Sequence, residues 1–141
     1  MYLKITDGHP EQYSLGQLHR DNPSTSFPRD PSAELLAGYG VYPYTRPDMP
    51  TCDWMTSRVV DGAFEQGEDS AWSLGYVVEQ MSEAEAAANI RGYRDSLLQE
   101  TDWMALSDNT MTPENAAYRQ ALRDITAQEG FPYEVVWPTK P

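Results

Sequence analysis

The sequence predicts an α+β protein: a small β-rich N-terminal domain, a sheet or sandwich over residues 1–80, followed by an α-helical hairpin domain over residues 81–141. Three observations carry this reading. Most of the prolines and glycines fall in the first 80 residues and cut them into short β-type runs. Beyond Ser82, apolar residues recur at spacings of three and four behind clear helix-start signals. Strands do not alternate with long helices, which excludes doubly wound and barrel enzyme architectures.

Taken in order, Tyr2-Leu3-Lys4-Ile5 alternates as an opening strand, and Gln12 to Leu18 pairs with it across the Asp7-Gly8-His9-Pro10 turn. Asp30 to Leu36 forms a capped helical turn or two closed by Gly38, the one short helical candidate of this half. Val41 to Tyr44 is extended. Arg58-Val59-Val60 and Ala63-Phe64-Glu65 flank Asp61-Gly62, the residue pair best suited to a type I′ hairpin turn, and Trp72 to Val78 follows as the longest strand.

In the second half, Ser82 caps a helix whose Glu85 reaches back three residues in a capping box. Ile90, Tyr93, Leu97 and Leu98 make its apolar stripe, with Glu83, Arg91, Arg94 and Asp95 mostly outside it. Thr101-Asp102-Trp103 reads as a cap or turn, with Trp103 packing into the groove between the helices. A second helix starts at Thr112 as N-cap, with Pro113 at the first helical position and Glu114 beside the positive end of the dipole. Ala117, Tyr118, Ala121, Leu122 and Ile125 form its buried stripe, and it runs to near Gly130, which supplies a left-handed C-cap ahead of Pro132.

The formal charge of -12 comes from 22 acidic and 10 basic residues spread along the chain. No Lys/Arg cluster offers a phosphate backbone the basic patch it requires, so nucleic acid is excluded as a partner, and an anionic membrane surface is disfavoured on the same grounds. No apolar run approaches the roughly 18 residues a membrane span requires, and the N-terminus lacks the basic and apolar regions of a signal peptide. The single cysteine, Cys52, permits no intrachain disulfide and fits a reducing cytoplasm.

Candidate chemistry is sparse. His9 and His19 stand ten residues apart with no Cys or further His nearby, and read as turn or surface residues rather than metal ligands or bases. Ser14 and Ser26 lie near them, but no nucleophile elbow is present. Asp102 is explained as a cap and Asp108-Asn109 as a turn, so they do not make an acid/base pair. Arg119 and Arg123 read as a solvated helix face with local pairing to Asp124, or as bonds to a partner subunit. No catalytic residue, metal ligand or cofactor is expected.

The aromatics stand out instead, at 4 Trp, 9 Tyr and 3 Phe. Tyr39, Tyr42, Tyr44 and Trp54 lie in a proline-rich stretch that forms either a partner-binding surface or a local hydrophobic cluster. Trp72 and Trp103 read first as core. Two helices bury little by themselves, so their apolar face needs cover from the N-terminal domain or from another copy. Tyr93, Leu97, Trp103, Tyr118, Arg119 and Leu122 are the residues such an oligomer interface would use.

Arg94-Asp95-Ser96-Leu97-Leu98, Thr101-Asp102-Trp103, Ala117 to Ile125, Gly130-Phe131-Pro132 and Val136-Trp137-Pro138 together resemble the C-terminal module of bacteriophage tail assembly chaperones, including the tail fibre assembly group. Tyr13 to Leu18, Asp21-Asn22-Pro23, Ser26-Phe27-Pro28 and Tyr39 to Pro43 are similar to the amino-terminal part of many small phage tail-region proteins. The resemblance implies a non-enzymatic chaperone that binds a tail fibre subunit and assists its folding and trimerisation in the host bacterial cytoplasm. The N-terminal domain would grip the fibre and the C-terminal domain would self-associate as a homotrimer. The alternative is a structural tail protein, an adaptor or fibre-tip component, that stays in the virion; a small hydrolase acting on host surface glycans is the remaining rival.

Overall fold

The computed structural model describes residues 1–141 and is α+β, with five strands in one mixed sheet and four α-helices. The chain divides into two units, residues 1–51 with 59–77 and residues 52–58 with 78–141. No helix is long and apolar enough to cross a membrane.

In the first unit, β1 (Tyr2–Thr6) and β2 (His9–Tyr13) pair antiparallel from Tyr2↔Tyr13 to Thr6↔His9. Asp7 and Gly8 join them at φ 51° and 82°, the left-handed backbone a two-residue turn requires. Here the structure corrects the expected strand over Gln12–Leu18, because the chain leaves the sheet at Tyr13 and turns into α1 (Leu15–Asp21). Ser14 Oγ accepts from Gln17 N at 3.2 Å while Gln17 Oε1 accepts from Ser14 N at 2.7 Å, a capping box that outweighs the β-type composition. The expected short helix is α2 (Ala33–Ala37), capped by Ser32 and ended at Gly38.

β3 (Val41–Thr45) lies antiparallel to β1, with Leu3↔Tyr42 in register, and parallel to β5 (Trp72–Gln80). β4 (Ser57–Gln66) completes the order β2-β1-β3-β5-β4. The expected turn at Asp61-Gly62 is absent; both residues lie inside β4, which at 10 residues is the longest strand, ahead of β5 at 9. The reversal is made by residues 67–71, where Gly67 N donates to Ala71 O at 2.9 Å and Ser70 takes φ 64°. Tertiary contacts override the turn propensity. The Asp61 carboxylate accepts both arms of Arg46, at 2.6 and 2.9 Å, and Gly62 faces Gly75, whose carbonyl would lie 3.3 Å from a Cβ at 62.

The sheet is rolled. Strands β2 and β4 occupy its opposite edges and would be about 19 Å apart in a flat sheet, yet Gln12 Nε2 on β2 donates to Asp61 Oδ2 on β4 at 2.9 Å. Leu18, Phe27, Leu36 and Val41 form one buried cluster, while Leu3, Tyr44 and Leu74 form another with Ile5, Tyr42, Phe64 and Trp72 packed around it. Each fully buried leucine of these clusters contributes roughly 1.5–3 kcal/mol relative to exposure.

In the second unit, α3 (Glu83–Glu100) begins at Ser82 with the expected capping box, and α4 (Pro113–Arg123) begins at Thr112 with Pro113 in its first turn. Ile90, Tyr118, Leu122 and Ile125 are its core, with Met55, Leu97, Leu98, Phe131, Val135 and Trp137 packed on them. The second helix stops earlier than expected: Asp124–Ala127 tightens into a 3-10 turn, and Gly130 does not take the left-handed conformation. Gly130 serves a different constraint, because a Cβ there would sit 2.3 Å from the Glu134 carbonyl oxygen, and Glu134 N donates to Gly130 O at 2.7 Å.

Two glycines therefore respond oppositely to the same change. Gly130→Ala lowers stability by about 1–3 kcal/mol through overpacking, whereas Gly92→Ala, inside α3 with nothing near its Cβ direction, raises it by about 0.5–1 kcal/mol. Urea unfolding of the two variants checks the pair.

Acid sensitivity follows from three carboxylates. The Tyr13 hydroxyl holds Asp21 below its usual value, Arg46 does so for Asp61, and the Ser82 hydroxyl and amide do so for Glu85. Burial, then Asp21, pushes the Tyr13 phenol up to about 12, so it stays a donor throughout the neutral range. Depressed folded values mean stabilisation that is complete above the unfolded values of 3.8 and 4.5 and is lost as pH falls through the folded ones. The urea midpoint drops between pH 7 and pH 3, and D21N/D61N/E85Q shows a shallower drop; an unchanged slope would exclude these groups as its source.

Candidate functional site

The second unit is organised by contacts along and beyond the ends of α3. At its N-terminal end, Tyr133 Oη donates to Met81 O at 2.9 Å; midway, Trp137 meets Tyr93 edge-on at 4.9 Å; near its C-terminus, Lys140 pairs with Glu100 at 3.6 Å. These contacts ascend in both stretches, so the C-terminal segment runs along α3 in the helix's own direction. Gln128 fastens it: its Nε2 donates to Val136 O at 2.9 Å and its Oε1 accepts from Val136 N at 2.8 Å, so one side-chain amide pairs with a backbone residue as a strand neighbour would.

Residues 52–58 are pinned in the same unit. Asn89 Nδ2 donates to Met55 O at 3.1 Å, Met81 N donates to Thr56 O at 2.8 Å, and Asp53 Oδ1 accepts from Met55 N at 3.0 Å. This fixes Trp54 against Tyr93, edge-on at 6.2 Å. Trp54, Tyr93 and Trp137 thus form an aromatic strip, with Trp54 61% and Tyr93 37% exposed and Val136 standing out beside Trp137. A cavity of about 360 Å³, lined by Met55, Ile90, Pro132, Tyr133, Val135 and Trp137, opens next to it. Edge-on aromatic pairs hold rigid apolar area at low entropy cost, which suits protein recognition more than chemistry.

At the C-terminal end of α3 lies Arg119, only 7% exposed. Its Nη1 donates to Leu98 O at 2.9 Å and to Thr101 Oγ1 at 2.6 Å, and its Nη2 donates to Asp102 Oδ1 at 2.9 Å. Thr101, fully buried, turns its own hydroxyl back to Leu98 O at 2.9 Å. Thr101 N closes the end of α3 on Leu98 O at 3.1 Å, and the guanidinium fork from α4 adds a charged donor to that carbonyl at the negative end of the helix dipole. This replaces the expected solvated Arg119 paired with Asp124; that carboxylate accepts from Gln120 Nε2 at 3.0 Å instead.

The residues singled out from the sequence separate. Tyr39 packs edge-on to Phe27 at 5.1 Å, Tyr44 is buried and meets Phe64 at 5.0 Å, and Tyr42 is half-buried in the same cluster as Tyr44. Tyr42, Pro43, Tyr44, Ala71 and Trp72 line an apolar pocket of about 220 Å³ in the first unit, while Trp54 belongs to the second. Of the six helical residues, Tyr118, Arg119 and Leu122 are buried within the chain, Leu97 is half-buried, and Tyr93 and Trp103 reach the surface. Trp103, 57% exposed, does not fill a groove between the helices; the 3-10 turn Asp102–Ala105 buries Met104 in its place. Trp137 and Gln128 were not picked out, although Trp137 lies in the quoted Val136-Trp137-Pro138 block, because neither sits on a periodic stripe. His19 packs edge-on to Phe27 at 5.2 Å, Ser14 is the α1 cap, and no group of three or more His, Cys, Asp or Glu side chains is placed to hold a metal ion.

The clamp predicts an ordered mutational series. Arg119→Met leaves Asp102 without its donor and takes the charged donor from the Leu98 carbonyl, which keeps Thr101 N and Oγ1, and costs roughly 2 kcal/mol, Arg119→Lys restores little because an ammonium cannot reproduce the fork, and Asp102→Asn, at an exposed partner, costs under about 1 kcal/mol. Urea denaturation orders the three.

Residues 87–141, from the first turns of α3 onward, match the family model described as phage tail assembly chaperone protein. No curated protein and no solved structure matches the chain.

Proposed function

We propose, from a C-terminal stretch carrying the tail assembly chaperone pattern, that this protein is a tail fibre assembly chaperone: a non-enzymatic, ATP-independent protein that binds a fibre subunit and assists its folding and trimerisation. The match over residues 87–141 carries the reading, and the exposed aromatic strip inside and beside that stretch supports it. Fibres built as intertwined trimers rely on nonlocal β pairing, which forms slowly and leaves unpaired edges on the way. A protein that covers such edges while gathering several chains raises their local concentration as well as protecting them.

In this reading the β-rich residues 1–80 hold the fibre, with Tyr42 and Tyr44 beside the apolar pocket at the bond between β3 and β5. Residues 81–141, with α3 and α4 as a helical hairpin, self-associate as a homotrimer. Trp103 and Leu106, each 57% exposed on neighbouring turns, and Tyr93 offer the contact area. The even spread of negative charge suits a protein that works in the host cytoplasm among its own copies without clumping.

Co-expression with the tail fibre subunit of the same phage raises the soluble yield of that subunit and gives a complex of equal stoichiometry; unchanged solubility with no complex defeats the reading. A complex that persists in purified particles assigns the chain to the virion as a structural tail component. Sedimentation of the full chain gives a trimer that Trp103→Ser dissociates, with the helical circular dichroism retained; a monomeric parent chain defeats the trimer.

A further inference from the structure

The five-residue β3 pairs with the nine-residue β5 only at Tyr44↔Trp72 and Thr45↔Ser73. The cause is written in the chain. Pro43 and Pro47 bracket the two paired residues, and a proline has no N–H to extend a ladder in either direction. Since β3 is the neighbour of β5 on this side, residues 74–77 of β5 carry backbone donors and acceptors along an edge that no strand occupies.

Beside that edge lies a notch of about 530 Å³, lined among others by Thr45, Arg46, Gly62, Glu65, Gly75 and Tyr76. Gly75 keeps it clear: a Cβ there would meet nothing within 4 Å. Arg46 lines one side of the notch. Its two terminal nitrogens are bound to Asp61, but its Nε is buried without any acceptor, the one such side-chain nitrogen or oxygen in the protein.

We infer that the notch beside residues 74–77 accepts an extended segment of the client chain, which adds a strand to β5 where β3 ends. The inference rests on the chaperone reading above and names the surface that reading leaves unspecified. Charge selects the occupant. Glu65 lines the notch and the Arg46 charge is already matched by Asp61, so a segment bearing Lys or Arg is favoured, whereas a second copy brings a further formal charge of -12. Strand addition supplies affinity through the backbone and leaves side chains free to vary, as a folding client requires.

Hydrogen exchange of the full chain, alone and bound to the co-expressed fibre subunit, tests this. Amides within residues 74–77 exchange at least about tenfold more slowly in the complex. A complex with unchanged exchange at 74–77 overturns strand addition while leaving the chaperone reading intact. Absence of any complex overturns both. Protection that grows with the concentration of the chain alone gives the notch to a second copy and overturns the choice of occupant.

Discussion

The second unit depends on one buried cation. Arg119 reaches from α4 to the C-terminal carbonyls of α3, to the Thr101 hydroxyl and to Asp102, so a single side chain ends one helix, positions the other and starts the 3-10 turn between them. A charge so little exposed is tolerable because its two terminal nitrogens are bound to a carbonyl, a hydroxyl and a carboxylate. Once that junction is fixed, Ile90, Tyr118, Leu122 and Ile125 meet in a single cluster, and Val135 and Trp137 of the C-terminal segment pack on it. The aromatic strip is thus the outer layer of a structure set from within.

The first unit solves a different problem. A five-stranded sheet of short strands has little area per face, and rolling it until Gln12 reaches Asp61 gathers Leu3, Tyr44 and Leu74 into one buried group. The same Asp61 receives the Arg46 fork, so one exposed carboxylate joins β2, β4 and the segment after β3. Acid weakens both contacts together.

How much of this the chain discloses depends on the range of the interaction. Helix starts were legible at Ser32, Ser82 and Thr112, because a cap and the amide it receives lie within three residues of each other. Asp61-Gly62 misled because its turn propensity is local while Arg46, Gln12 and Gly75, which hold it straight, are far away in sequence. Ser14 was passed over as a cap because the composition around it suits a strand, although Gln17 already stood three residues on. Arg119 looked like a surface residue since nothing at helical spacing reveals a carbonyl 21 positions earlier. For the candidate site, Trp54 and Tyr93 were each picked out, but for different roles, and only the folded chain brings them together with Trp137.

The two prolines around Tyr44 and Thr45 have a consequence for fidelity. Main-chain pairing is indifferent to sequence, and a strand on a long uniform edge can slide by two residues without losing a bond. Here Thr45 already fills the place opposite Ser73, so a strand laid along β5 meets a fixed stop and has one starting point. The prolines turn an otherwise featureless edge into a ruler with a zero mark, so the strand addition proposed above would take its alignment from the place where the chain's own ladder ends.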